Sequence, residues 1–401
     1  MSQETLLAIE GGKPSRPQPI QPLYHVGQDT RDLIAEILDS GQFSAWYGGK
    51  VARRFEKEFA ERMGANHAIA VNSGTSALHA AVAALGLKSD DEVIVPAAAY
   101  VSAASVVVQE GAVPVLCDID EAYVLSVEDF ERRITDKTRA VIVVHFWGYP
   151  VDMDQLCEIA QRKGIVVIED CGQSHGCTIG TRVTGSIGEF GCYSFAPRKH
   201  VTTGEGGMVT CKSERDAARV RELINKGKGN GWLDYHSLGF SYAMPELDAA
   251  IGLDSLRKLD SELVRRRQAA EVYRRTLAHT PLRIPVDPPY GQHVYFKVPI
   301  LLPEEMTSAR DLLCDVIDKE NVSCRVPHPP VYTIGWLAKY AADRGRPFDA
   351  ESFPFTANLL PRMIEVESGP NLSDEDIEVS ANAVARAWKY VCSRHAYSQS
   401  A

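Results

Sequence analysis

Between about residues 66 and 211 the chain repeats one pattern: a short run rich in Val and Ile, an amphipathic stretch, then another apolar run. The runs are "DEVIVP", "AVPVLCDID", "RAVIVVHFWG", "GIVVIED", "GCYSF" and "GGMVTC", with "SALHAAVAALG" and "DMDQLCEIAQRKG" between them. Runs apolar at nearly every position suit strands covered on both faces, and strands alternating with helices imply crossover connections. The pattern therefore predicts an α/β fold, a mostly parallel sheet between two helical layers. On such sheets ligands sit outside the carboxyl ends of the strands, so the residues just after each run are the candidates for chemistry.

Downstream, "PELDAAIGLDSLRKLDSELVRRRQAAEVYRRTLAHT" has helical spacing, with Pro245 suited to a first turn, and reads as one long arm. From about residue 285, strands ("VYFKVPIL", "NVSCRV") mix with helices, as expected of a compact α+β domain. The expected organisation is a lead-in over 1–30, a large domain over 31–260 and a small C-terminal domain over 261–401. Dividing the length by roughly 150 residues per domain gives two or three.

The formal charge of −10, with no basic block, argues against nucleic acid, whose phosphates need a basic face. No apolar run approaches the length of a membrane span, and the first residues lack a signal-peptide pattern. Nine cysteines without paired spacing read as free thiols in a reducing cytoplasm. Cys171, His175 and Cys177 lie close together, but no second ligand pair accompanies them, so no metal is expected.

Four features fall at the ends of the runs. "VNSGTSALHAA" places Gly74 and Thr75 at a helix start, where free amides and the helix dipole favour an anion, although Ser-Gly-Thr is also an ordinary N-cap. Tyr100 follows "VIVPAAA", where it could stack on a planar ring or fill a core. Asp170 ends the apolar run "VVIED"; a carboxylate there calls for a cationic partner such as a protonated pyridine nitrogen, or caps the next turn. Ser194 and Lys199 lie in "SFAPRKHVTTGEGG". A lysine that condenses with an aldehyde must have a neutral amine, hence a depressed pKa. A phosphate-binding P-loop is the competing reading, but no GxxxxGK[ST] occurs, and "GGK" at Gly11–Lys13 and Gly48–Lys50 lacks the following Ser or Thr. A phosphate turn, an aromatic, an Asp at a strand end, then Ser and Lys, in that order, is the set that pyridoxal phosphate (PLP) requires.

From "GKVARRFEKEFAERMGANHAIAVNSGTSALHAA" through "VHFWGYPVDMDQL" and "VIEDCGQSHG" to "SFAPRKHVTTGEGG", the sequence resembles the DegT/StrS-type aminotransferases, PLP enzymes of fold type I that aminate keto-sugars and keto-cyclitols. The resemblance implies that Lys199 bonds covalently to the cofactor and that Asp170 faces its pyridine nitrogen. It implies that Gln173 lies near the phenolic oxygen, that Tyr100 stacks on the ring, and that Gly74, Thr75 and Ser194 hold the phosphate. It further implies a homodimer, an amino donor (L-glutamate or L-glutamine), and a keto-sugar acceptor, free or nucleotide-linked, or a keto-cyclitol. Two half-reactions follow, with the released Lys199 moving the proton as general acid/base.

Some positions depart from the family pattern. Ser241 and Ala243 stand where the family usually has an Asn, which reaches the neighbouring subunit's phosphate, and an Arg. His200 adjoins the lysine; a branch of the family with histidine in place of the lysine removes a sugar hydroxyl instead, so dehydration is the alternative, as is a non-catalytic cofactor-binding role. Tyr47, His200 and His328 are the candidate substrate contacts.

Overall fold

A computed structural model describes residues 6–20, 24–229, 233–369 and 371–399, with side chains described as far as Arg394. Thirteen strands occur among them, in chain order: His67–Val71 (β1), Glu92–Pro96 (β2), Val113–Cys117 (β3), Thr138–Val144 (β4), Val166–Asp170 (β5), Thr178–Ile179 (β6), Arg182–Val183 (β7), Phe190–Ser194 (β8), Gly207–Cys211 (β9), Gly291–Gln292 (β10), Val298–Leu301 (β11), Cys324–Arg325 (β12) and Met363–Val366 (β13).

Seven of them form the main sheet in the order β1-β9-β8-β5-β4-β2-β3. The β3, β2, β4, β5 and β8 pairings are parallel, whereas β9 runs antiparallel to both β8 and β1. The central strands are buried on both faces, which is why they read as unbroken Val/Ile runs: Ile94, Val141, Ile142 and Ile168 are all in the core. The alanine-rich helix Gly74–Ala84 is buried from Ser76 to Ala83, and the ring nitrogens of its His79 are satisfied by Tyr242 and Glu110 (2.9 and 2.8 Å). A second core, around Ile300, Val316, Ile364 and Val384, joins the antiparallel sheet β11-β13-β12 to helices Arg310–Lys319 and Asp374–Gln399.

Two expectations need correcting. The long arm is two helices, Glu246–Arg257 and Leu259–Thr276, which meet at Lys258. No Gly or Pro marks the break; tertiary contacts hold it. The Lys258 ammonium returns to Asp254 (2.6 Å), bonds the His25 carbonyl (2.9 Å) and lies 4.8 Å from the Tyr24 ring centre. The expected strand "VYFKVPIL" is strand only over Val298–Leu301. Its first half instead pairs with a turn of the large sheet, the Val294 and Phe296 amides donating to the Gly148 and Trp147 carbonyls (3.1 and 2.8 Å). That detour carries Phe296 and Lys297 to Lys199.

The lead-in is pinned at both ends. Arg16, almost fully buried, donates to Glu367 and Ser380 and to the Asp376 carbonyl, while the Tyr24 hydroxyl donates to Asp254 (2.7 Å). Among the described residues no helix is long and apolar enough to cross a membrane.

Candidate active site

The site lies where β5 and β8, adjacent and parallel, end beside the start of the helix Gly74–Ala84. Ser73 caps that helix, its hydroxyl accepting from the Ser76 amide (3.0 Å), while the Gly74 and Thr75 amides precede the first intrahelical bonds. A Cβ on Gly74 would lie 2.5 Å from the Ser194 Cβ, so only glycine lets the helix start approach the end of β8 this closely. Free amides, the helix dipole and the Ser194 hydroxyl are the groups here that could hold an anion.

Asp170 closes β5, and among the described residues its carboxylate accepts one hydrogen bond, from the Gly172 amide (2.9 Å). Burial pushes its carboxyl up from the ordinary range, opposed by that amide and by the charge of Lys199. Lys199 shows the mirror effect: burial lowers it to about 8, Asp170 and Glu365 pulling upward and Arg266 downward. A substantial neutral fraction at physiological pH is what a nucleophilic amine needs. Its ammonium lies 4.4 Å from the centre of the Phe296 ring.

Gly172 tests whether a cofactor fits. A Cβ there would meet Asp170 Oδ1 at 3.1 Å, Ser194 Cβ at 3.5 Å and Lys199 Nζ at 3.9 Å. Carboxylate, hydroxyl-bearing residue and amine therefore converge on one small space that the chain leaves without a side chain. These residues fit PLP: Asp170 would hold the pyridine nitrogen protonated, the Ser194 corner would take the phosphate, and Lys199 would take the aldehyde. When bound, PLP supplies the aldehyde that captures an amine and the ring that accepts electrons from the adjacent carbon.

The other expected residues are placed as follows. Gln173 accepts at Oε1 from the Trp147 amide (2.7 Å), which leaves its amide nitrogen as the donating end. Tyr100 is half exposed, its ring 5.1 Å from that of His328, so the two aromatics pack edge to face. The Val331 amide donates to the Ala97 carbonyl (2.8 Å) and fixes the His328 segment across the end of β2. His200 is buried, with Nε2 3.3 Å from the Val294 carbonyl. Burial, with Arg266 and His175 nearby, pushes its pKa far down, so it is a neutral packing group. Tyr47 is exposed and has no contact with this cluster among the described residues. Ser241, also exposed, bridges Asn225, and Ala243 bridges Val71; neither is brought to Lys199.

Sequence reasoning missed Trp147, Gly172, Phe296 and Glu365. The Trp147 indole donates to Glu365 (2.7 Å), tying the large sheet to β13, and its backbone is left-handed (φ 53°). "HFWGY", an aromatic pair before a glycine at a strand end, was the available signal. Nothing local marks Phe296 or Glu365, which reach the site only through tertiary packing.

The chain matches the sequence model of the DegT/DnrJ/EryC1/StrS aminotransferase family over residues 25–385. It is 34% identical over 367 residues to a GDP-perosamine synthase of Vibrio cholerae, covering 90% of this chain and 98% of that one. Among solved structures it resembles an aminotransferase from Psychrobacter cryohalolentis (TM-score 0.85, 30% identity, 93% of this chain and 100% of that one). It also resembles DesI solved in the presence of its TDP-sugar product (TM-score 0.87, 29% identity, 98% and 99%). Fold and site together define a PLP-dependent transaminase of fold type I. The chain belongs to the DegT/DnrJ/EryC1/StrS aminotransferase family.

Proposed function

We propose that this enzyme moves an amino group from L-glutamate or L-glutamine to the ketone of a nucleotide-linked keto-sugar, in amino-sugar biosynthesis. The observation that carries the chemistry is the convergence of Asp170, Ser194 and Lys199 on the open space at Gly172. The sugar acceptor is supported by the kinship with a GDP-perosamine synthase and with DesI, whose product is a TDP-sugar. A keto-cyclitol would use the same machinery.

Lys199 would accept a proton from the donor's α-carbon and return it nearby, a role supported by its partly neutral amine and by Asp170 and Glu365, which both favour its charged form. With PLP bound, Asp170 would gain a cationic partner in the ring nitrogen, which would offset the burial that raises its carboxyl. Retention of Lys199 favours transamination over dehydration.

A homodimer fits the surface. Leu233, Tyr235 and Leu238 are 74%, 58% and 86% exposed on the segment leading to Ser241, and Tyr47 is 74% exposed. Large apolar side chains clustered in this way are covered in most proteins. In a dimer, Tyr47 and Ser241 would serve the neighbouring subunit's site.

The test is a spectral panel. The holoenzyme is converted to its amino form with L-glutamate or L-glutamine, then offered nucleotide-linked keto-sugars and keto-cyclitols, and return of the PLP absorbance is followed. Return with a nucleotide-linked keto-sugar supports the proposal. Return only with cyclitols moves the acceptor class, and no conversion by any amino donor contradicts transamination.

A further inference from the structure

A cavity of about 340 Å³ opens beside Lys199, and Lys199 is the residue it shares with the cofactor cradle; Asp170, Gln173, Ser194 and Gly74 do not line it. Its walls come from four places: the lead-in (Ile20, Tyr24), the loop after β8, the helix Leu259–Thr276, and the β12–β13 face of the small sheet.

Its charge is unbalanced. Five cations line it (Arg198, Lys199, Arg266, Lys297 and Arg325) against two carboxylates, Glu262 and Glu367. Both carboxylates are already committed: Glu262 to Arg266 (3.3 Å), and Glu367 to Arg16 and to the Ser323 amide (3.2 Å). Arg325 keeps a loose pairing with Asp318 at 3.6 Å. Among the described residues Lys297 and the Arg198 guanidinium form no ion pair. Burial lowers the pKa of Lys297, Glu365 opposing and Arg266 and Arg198 reinforcing it. In a chain of net charge −10, two cations without an ion pair, Lys297 and Arg198, beside the reactive amine and the paired Arg266 make this wall a place for an anion.

Size narrows the anion. About 340 Å³ lies at the lower end of small-molecule sites, which run from about 300 to 1,000 Å³. It suits an amino acid of five carbons better than a sugar joined to a nucleotide.

We infer that this cavity receives the side-chain carboxylate of an acidic amino donor, with Lys297 and Arg198 as the residues that select a dicarboxylate. The inference rests on the transaminase reading above. The donor's amine reaches Lys199 and the cofactor while its distal carboxylate points toward Lys297. The lead-in, fixed by Arg16 and Tyr24, forms part of the wall.

The test uses the holoenzyme and its Lys297→Met and Lys297→Arg variants. Binding of glutarate, a dicarboxylate with no amine to transfer, is measured by titration calorimetry, and single-turnover conversion is followed with L-glutamate and with L-glutamine. A hydrogen bond to a charged group is worth roughly 1.5–3 kcal/mol, or about 10–100-fold. Lys297→Met should therefore weaken glutarate and raise the half-saturating L-glutamate concentration by about that factor. L-Glutamine should shift far less, and Lys297→Arg should restore most of the loss. Equal losses for glutamate and glutamine, a rise in the acceptor's half-saturating concentration instead, or wild-type enzyme that binds no glutarate each overturn the inference. Glutarate binding without conversion by any donor would leave the subsite standing and remove the transaminase reading instead.

Discussion

Glu169 and Asp170 are neighbours on one strand, and pleating sends them to opposite faces of the sheet. Glu169 is saturated. It accepts from the Gly185, Ile187 and Gly188 amides (2.8, 2.9 and 2.7 Å) and from His145 Nε2 (3.1 Å), whose other nitrogen accepts from the Val151 amide. Burial alone would raise its pKa, but the His145 hydrogen bond, with the Gly185 and Gly188 amides, holds it below the ordinary range. Asp170 has one amide and a raised pKa. The first carboxylate is complete within the fold and pins the loop before β8. The second is left short of partners at the place where a cationic ring would supply one.

The contrast sets the expected effects of mutation. Glu169→Ala strands three buried amides and a histidine, and breaking a buried hydrogen-bonded charge costs roughly 3–5 kcal/mol. Denaturant unfolding should record a loss of that size, with the cofactor absorbance of the surviving folded protein unchanged. Asp170→Asn should do the reverse. The folded apoprotein should be as stable as wild type or more so, since the buried charge is gone, while the half-reaction rate falls by about 10²–10³-fold, as when one preorganised electrostatic contact is removed. If Asp170→Asn unfolds the protein and Glu169→Ala does not, the two roles have been assigned the wrong way round.

pH sharpens the comparison. The Lys199 amine is depressed to about 8, so the charged form is disfavoured in the folded protein. Whatever stability the neutral amine lends is present above the ordinary lysine range and is lost as pH falls through about 8. The rate of PLP uptake by the apoenzyme should rise with pH and inflect near 8 rather than near the ordinary lysine value. Asp170 raises the Lys199 pKa, so in Asp170→Asn the inflection should move lower. An unmoved inflection would mean that the two groups are not coupled. The smallest effect is expected at the half-exposed Tyr100: if it stacks on the cofactor, Tyr100→Ala would remove a contact worth about 0.5–1.5 kcal/mol, read as a few-fold weaker hold on PLP.

Much of this was legible in the sequence because it is local. The Val/Ile runs, the Ser-Gly-Thr helix start and the carboxylate closing "VVIED" each announce themselves within a few residues, and strand order then brings Asp170, Ser194 and Lys199 together. What the sequence hid is tertiary. The break at Lys258 carries no Gly or Pro, and Phe296 and Lys297 reach the site because "VYFK" leaves its expected strand to bond the Trp147–Gly148 turn. His200 looked exposed to chemistry by its position next to Lys199, yet the chain turns it inward against Phe296 and His175.

The central claim is that Lys199 alone carries the cofactor. Lys297 lines the same cavity and also has a lowered pKa, so the competing lysine is at hand. Borohydride reduction of the holoenzyme, followed by peptide mapping, tests the claim most directly. The account predicts the cofactor mass on the peptide containing Lys199, and no reducible adduct in Lys199→Ala. Cofactor mass on Lys297, or a reducible adduct that persists in Lys199→Ala, would contradict it.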